Sequence, residues 1–217
     1  MILNKKDILF LLKNGYVKIP KLKIKDHYDI KYDGKIYQVD SKPHLNYLKN
    51  NQIEKLLAPQ LRKIALDNYN VINFNNLQYN VTRKIEPNSS SESYRFHFDS
   101  HLFTLIVPVT IPKKSGQLII FPKIRKYNNN EFLNFLQKAI FKFFSNKCGF
   151  FLLKIFFPYK VFDFVDNVPV LFLGYESLHA NFPFNDNSKR ITFLTHFFDP
   201  GSKFSIGNIM RSLRKRG

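Results

Sequence analysis

The hydrophobic pattern changes period near residue 70. Before it, apolar residues recur at helical spacing. Ile8, Leu9, Leu11 and Leu12 in 6–13 predict a short amphipathic helix, stopped by Asn14-Gly15. Residues 16–20 alternate like a strand and end at Pro20. Asp33-Gly34, between Tyr32 and Ile36-Tyr37, predicts a hairpin turn. Leu56, Leu57, Leu61, Ile64, Ala65 and Leu66 predict one or two helices across 45–67, broken or kinked at Pro59.

Beyond residue 70 the pattern becomes one of short strands. They are expected at 71–77, 77–85, 102–111, 117–122, 150–157, 161–165, 168–173 and 190–198. The polar stretch 86–93 reads as a loop. One helix interrupts the strands at 131–147. Phe132, Phe135, Leu136, Ala139, Ile140, Phe143 and Phe144 form its apolar stripe, read as facing the core, with a membrane patch as the alternative. Ile206, Ile209, Met210 and Leu213 can line one side of a terminal helix.

Helices followed by about eight strands with polar turns predict a mainly β sandwich or jelly roll with helices packed outside. The length fits one domain spanning 1–217. Within it lie an N-terminal extension (1–68), a jelly-roll core (69–200) with a helical insertion at about 130–147, and a basic tail (201–217).

Composition adds one feature. The net charge is +18, with 34 Lys and Arg against 16 Asp and Glu. Compositional bias and solubility account for such a balance. A nucleic acid, an anionic membrane or an acidic protein is the alternative. Lys113, Lys114, Lys123, Arg125 and Lys126 form a solvated loop or a rim for an acidic substrate. The lone cysteine, Cys148, excludes an intrachain disulfide and reads as a buried hydrophobe. Lys5, Lys6, Asp7 and Lys13 interrupt the N-terminal apolar run, unlike a signal peptide. No run approaches about 18 uncharged apolar residues, so no membrane span is expected. These features point to a cytoplasmic protein.

The candidate chemistry starts in 94–112, YRFHFDSHLFTLIVPVTIP. His97 and Asp99 stand two apart at the head of an apolar run read as a strand, so both face one side. His179 lies 82 residues after His97, and Arg190 eleven residues after His179. Two imidazoles and one carboxylate, without thiolate, suit Fe(II) or another divalent first-row metal with open coordination positions. Arg190 can clamp a carboxylate bidentately, and Thr192 on the same strand face can donate a hydroxyl to it. His101 is in phase with the ligand face, with no role fixed by its position.

The set His97-x-Asp99, His179, Arg190-x-Thr192 resembles the 2-oxoglutarate/Fe(II)-dependent dioxygenase superfamily, in its phytanoyl-CoA dioxygenase-like or prolyl-hydroxylase-like branch. LLKNGYVKIP (11–20), TLIVPV (104–109), GQLIIFP (116–122) and VLFLGYESLHA (170–180) resemble further pieces of that pattern. The resemblance implies a double-stranded β-helix. It implies Fe(II) held by His97, Asp99 and His179, with the far carboxylate of 2-oxoglutarate on Arg190 and Thr192. Tyr94 either hydrogen-bonds the co-substrate or substrate, or packs. The implied reaction uses O2, releases succinate and CO2, and hydroxylates a substrate.

The chain departs from the family in having Thr192 for the usual serine and Ser115-Gly116 for the usual glycine pair. Leu194 and His196 disfavour the nucleic-acid demethylase branch. Small molecule, lipid, protein side chain and nucleotide all stay open as substrates. The runner-up is an inactive jelly-roll protein binding nucleic acid or anionic membrane through its basic surface. Isomerase or hydrolase chemistry on the triad gives no reason for Arg190 and Thr192.

Overall fold

The computed structural model describes residues 1–24, 28, 30, 35–69, 78–86, 92–112, 115–127, 131–184 and 189–200. The turn expected at Asp33-Gly34, the strand at 71–77 and the terminal helix in 201–217 lie outside these residues.

The first helix, α1 (Lys5–Asn14), begins at a capping box: Asn4 accepts from the Asp7 backbone, and Asp7 from that of Asn4. Its close, with the Gly15 N–H on Leu11 O, hands the chain to β1 (Tyr16–Lys18). A 3-10 turn follows at Pro20–Leu22. Then come β2 (Tyr37–Val39), α2 (Lys42–Asn50), α3 (Ile53–Leu56) and α4 (Ala58–Asn68). Pro59 falls in the first turn of α4, where its missing N–H costs nothing, so it separates helices instead of kinking one.

The rest is largely strand: β3 (Tyr79–Ile85), β4 (Phe103–Thr110), β5 (Leu118–Phe121), β6 (Lys160–Phe162), β7 (Val170–Phe172), β8 (Leu178–Asn181) and β9 (Arg190–Phe197). Two helices, α5 (Glu131–Phe143) and α6 (Lys147–Phe156), come between β5 and β6. The strands make a six-stranded sheet, β1-β7-β4-β9-β3-β2, and a three-stranded sheet, β6-β5-β8. Neighbouring strands within both sheets run antiparallel.

Side-chain alternation explains how the sheets are covered. On β4, Phe103, Leu105 and Val107 point outward to a core shared with Leu11 of α1, Tyr47 of α2 and Leu61 of α4. Ile106 points inward, to Leu118 and Ile120 of β5 and Phe172 of β7. That inner cluster joins the two sheets. On the far side of the smaller sheet, Ile119, Phe121, Leu178 and Ala180 pack on Phe150 and Leu153 of α6. Helices therefore cover the outer faces, and both faces of β4 are buried except at its end.

Residues 150–157, expected as a strand, are mostly helix α6. Asn146 caps it by accepting from Gly149 N at 2.8 Å. Phe150 and Leu153 are buried one turn apart, while Phe151, Leu152, Ile155 and Phe156 are exposed. An apolar run of this length carries no period that separates strand from helix. Cys148, expected inside, is exposed on the same helix.

Candidate metal centre

His97 and Asp99 precede β4 and do not belong to it, contrary to the strand-head expectation. They lie on an extended segment that crosses between the sheets. His97 exchanges backbone hydrogen bonds with His179 of β8, at 3.1 and 3.0 Å. Asp99 N donates to Gly174 O at 3.0 Å, and Leu102 N then reaches Phe198 O beyond β9. Alternation still holds along this segment. Phe96 and Phe98 enter the cluster beneath α6, leaving His97 and Asp99 on the other face. That face looks into a cavity of about 1060 Å³.

The crossing brings three donors together. Atoms of His97, Asp99 and His179 lie within 4.8 Å of one another. Asp99 Oδ1 is 4.0 Å from His97 Nε2 and 3.7 Å from His179 Nε2. Each imidazole has its other nitrogen against a backbone carbonyl: His97 Nδ1 at 2.8 Å from Arg95 O, His179 Nδ1 at 3.1 Å from Ser177 O. A carbonyl only accepts, so Nδ1 carries the proton and Nε2 offers its lone pair.

The charge states suit a cation. Desolvation, then the neighbouring His179, lowers the His97 pKa from its ordinary value, although the side chain is half exposed, so solvent moderates the shift. Burial alone would raise that of Asp99. His179, His196, His97 and the Thr104 hydroxyl outweigh it and hold the carboxyl below its usual range. Thr104 donates to Asp99 Oδ2, which leaves Oδ1 for the imidazole side. Two imidazole Nε2 atoms beside an ionised carboxylate fit a divalent first-row metal.

Arg190 and Thr192 open β9 on its cavity face, and both are buried. Arg190 Nη1 donates to Gly116 O and to Asn181 Oδ1. Its Nε–H is buried with no hydrogen-bond partner, and among the described residues no carboxylate pairs with it. Burial, then the nearby Arg83 charge, lowers its pKa to about 9. A buried, still protonated guanidinium without a counter-ion fits an anionic ligand. Gly116 is specific to this contact. Its φ is +67°, and a Cβ there would lie 2.2 Å from the Phe184 ring, itself 5.7 Å from the Arg190 guanidinium carbon.

Tyr94 does not line the cavity. Its ring lies against Phe150 and Phe182, with centroids 5.8 and 5.9 Å away. His101 does line it, stacked on Tyr79 and tilted against His196. Arg125, read as part of a solvated loop or a basic rim, is buried: its guanidinium carbon is 4.1 Å from the Phe98 and Tyr175 rings, and Nε donates to Tyr175 O at 2.6 Å. Lys113 and Lys114 lie outside the described residues.

Several cavity residues escaped the sequence reading. His196 Nδ1 is 3.0 Å from Thr104 Oγ1 and 3.7 Å from Asp99 Oδ2. It shares strand parity with Arg190 and Thr192, as Asn181 does with His179, and that parity was the available signal. Glu92 has no such signal. It accepts from Tyr37 at 2.8 Å, from Arg95 at 3.1 Å and from Arg83. Burial opposes its ionisation, but Arg83, Tyr37 and Arg95 lower its pKa overall.

No protein-family model matches the chain, and none of the curated proteins matches it. Solved structures do. The non-heme alpha ketoglutarate dependent carbocyclase SnoK from nogalamycin biosynthesis is 13% identical, with a TM-score of 0.52 over 96% of this chain and 90% of SnoK. AviO1 from Streptomyces viridochromogenes Tue57 is 12% identical, with a TM-score of 0.53 over 93% of this chain and 97% of AviO1. The chain thus shares its fold with a non-heme enzyme dependent on 2-oxoglutarate, the other name of alpha-ketoglutarate.

Proposed function

We propose that the chain is an oxygenase dependent on Fe(II) and 2-oxoglutarate, with a double-stranded β-helix core, that hydroxylates a substrate. One observation carries the reading: a His-Asp-His donor set and a buried guanidinium with no carboxylate partner among the described residues line the same cavity.

His97 Nε2, His179 Nε2 and Asp99 Oδ1 would hold the metal. The Arg95 and Ser177 carbonyls fix the two imidazole tautomers, and Thr104 fixes the carboxylate through its other oxygen. Arg190 would take the far carboxylate of 2-oxoglutarate, steadied by Gly116 O and Asn181 Oδ1. Thr192 would add a hydroxyl from the same strand face. When bound, Fe(II) with O2 and 2-oxoglutarate supplies the oxidation, in which the co-substrate becomes succinate and CO2 and one oxygen atom enters a substrate C–H bond. Ile106, Leu118 and Leu194 keep part of the wall apolar and limit water around the Arg190 contact. On the β2 side, Tyr37, Arg83, Glu92 and Arg95 give the substrate a polar, charged approach.

The test is succinate formation in air with Fe(II), a reductant and 2-oxoglutarate. Wild-type protein is expected to form succinate, and His97→Ala and Asp99→Ala proteins to lose that activity. A wild-type rate no higher than that of the two variants overturns the proposal.

A further inference from the structure

The outer faces of α5 and α6 are the least covered apolar surface among the described residues. Leu136, Ile140 and Phe143 repeat at i, i+4 and i+7 along α5, and all three are exposed. On α6, Phe151, Leu152, Ile155 and Phe156 form a second exposed stripe. Exposure reaches 82% at Phe143, 70% at Ile155 and 74% at Phe156, so these rings and chains rest on almost nothing. The opposite faces are anchored. Phe141, Phe144, Phe150 and Leu153 pack into the cluster behind β5 and β8, and Ser145 Oγ donates to Phe96 O at 3.3 Å. The stripes are therefore held outward by a packed base. A patch of this kind marks an interaction surface.

The charge of the same segment identifies the partner. Residues 132–162 contain ten Phe and five Lys, and no Asp or Glu. Lys142, Lys147, Lys154 and Lys160 are all exposed. Lys154 lies over the Phe151 ring, its Nζ 4.1 Å from the centroid, so cation and apolar surface are presented together. Phe and Leu beside lysines, with no acid, is the composition of a helix lying in the headgroup layer of an anionic bilayer. No helix among the described residues is long and apolar enough to cross a membrane, and the contact argued for lies in the plane of the surface. A second copy of the chain fits poorly, because it would bring like charge against like on a protein of net +18. Nucleic acid phosphates would satisfy the lysines but leave the apolar stripes in water.

We infer that the α5–α6 face docks this protein on anionic membrane surfaces, with Phe143, Ile155 and Phe156 entering the headgroup layer and the lysines meeting lipid phosphates and carboxylates. The inference stands apart from the cavity chemistry.

The experiment is co-sedimentation of the full chain with phosphatidylcholine vesicles, with and without phosphatidylserine. Wild-type protein is expected to sediment with the phosphatidylserine vesicles and hardly with the neutral ones. The triple variant Phe143→Ser/Ile155→Ser/Phe156→Ser is expected to bind roughly tenfold more weakly or worse. Its thermal midpoint should stay near wild type, because the replaced side chains are exposed. Lys147→Gln and Lys154→Gln should each weaken binding roughly fivefold, and they keep the test decisive if the triple variant misfolds. The inference is overturned if wild-type protein ignores phosphatidylserine vesicles. It is equally overturned if neither the triple variant nor the lysine variants lose binding, as when the basic tail at 201–217 or a nucleic-acid site carries it. A wild-type dimer that the triple variant converts to monomer also overturns it, by naming a second copy as the occupant.

Discussion

His44 and Arg190 show how burial sets charge in this molecule. His44 is fully buried, stacked on Phe193 at 4.6 Å with Nε2 2.9 Å from Thr195 Oγ1. Burial, then the charge of His196, lowers its pKa to about 3 from 6.5. The unfolded chain therefore takes up a proton that the folded one refuses. Stability from this group is complete above pH 6.5 and falls as the pH drops toward 3. Urea unfolding should show wild-type protein losing about 2 kcal/mol more than His44→Asn protein between pH 6.5 and 5. Equal losses would remove His44 as the cause. Arg190 keeps its charge at neutral pH although buried, because its pKa falls only to about 9. Replacing it with alanine should raise the 2-oxoglutarate dissociation constant roughly ten- to hundredfold, read by calorimetric titration of metal-loaded protein. An unchanged constant would place the co-substrate elsewhere.

At the scale of elements, the turn between β7 and β8 sets how closely the chain packs against Thr104 and Asp99. A Cβ on Gly174 would lie 2.4 Å from Thr104 Oγ1 and 2.7 Å from Asp99 Oδ2. Gly174→Ala protein should thus lose about 1–3 kcal/mol of stability and bind Fe(II) at least roughly tenfold more weakly, measured by denaturant midpoint and by metal titration. Wild-type metal affinity would show that Asp99 has room to spare. This turn also marks where sequence reading ends. Strand parity made His97 with Asp99, and Arg190 with Thr192, readable as pairs, because alternation is a local property. It could not tell that His97 and Asp99 stand on a crossing segment outside β4, since that depends on pairing with residues 174 and 179. Glu92 was unreadable for the same reason: its partners Tyr37 and Arg83 come from other strands. Helix α6 was misread because its buried side is set by the sheet beneath it, not by a polar period in 150–157.

At the scale of the whole molecule, helices cover both outer faces and two sheets enclose the cavity between them. The strands that carry the candidate site come from both sheets, β8 from the smaller and β9 from the larger, with the His97–Asp99 segment passing from one to the other. The layout predicts that metal and co-substrate hold the sheets together and act as one site. Anaerobic titration with Fe(II) and 2-oxoglutarate, followed by visible absorption, tests this directly. Wild-type protein should develop a charge-transfer band that needs both additions. His97→Ala and Asp99→Ala proteins should lack it, and Arg190→Ala protein should need far more 2-oxoglutarate to reach it. A wild-type protein that shows no band, or a band that survives His97→Ala and Asp99→Ala, would contradict the assignment of this cavity as an Fe(II) and 2-oxoglutarate site.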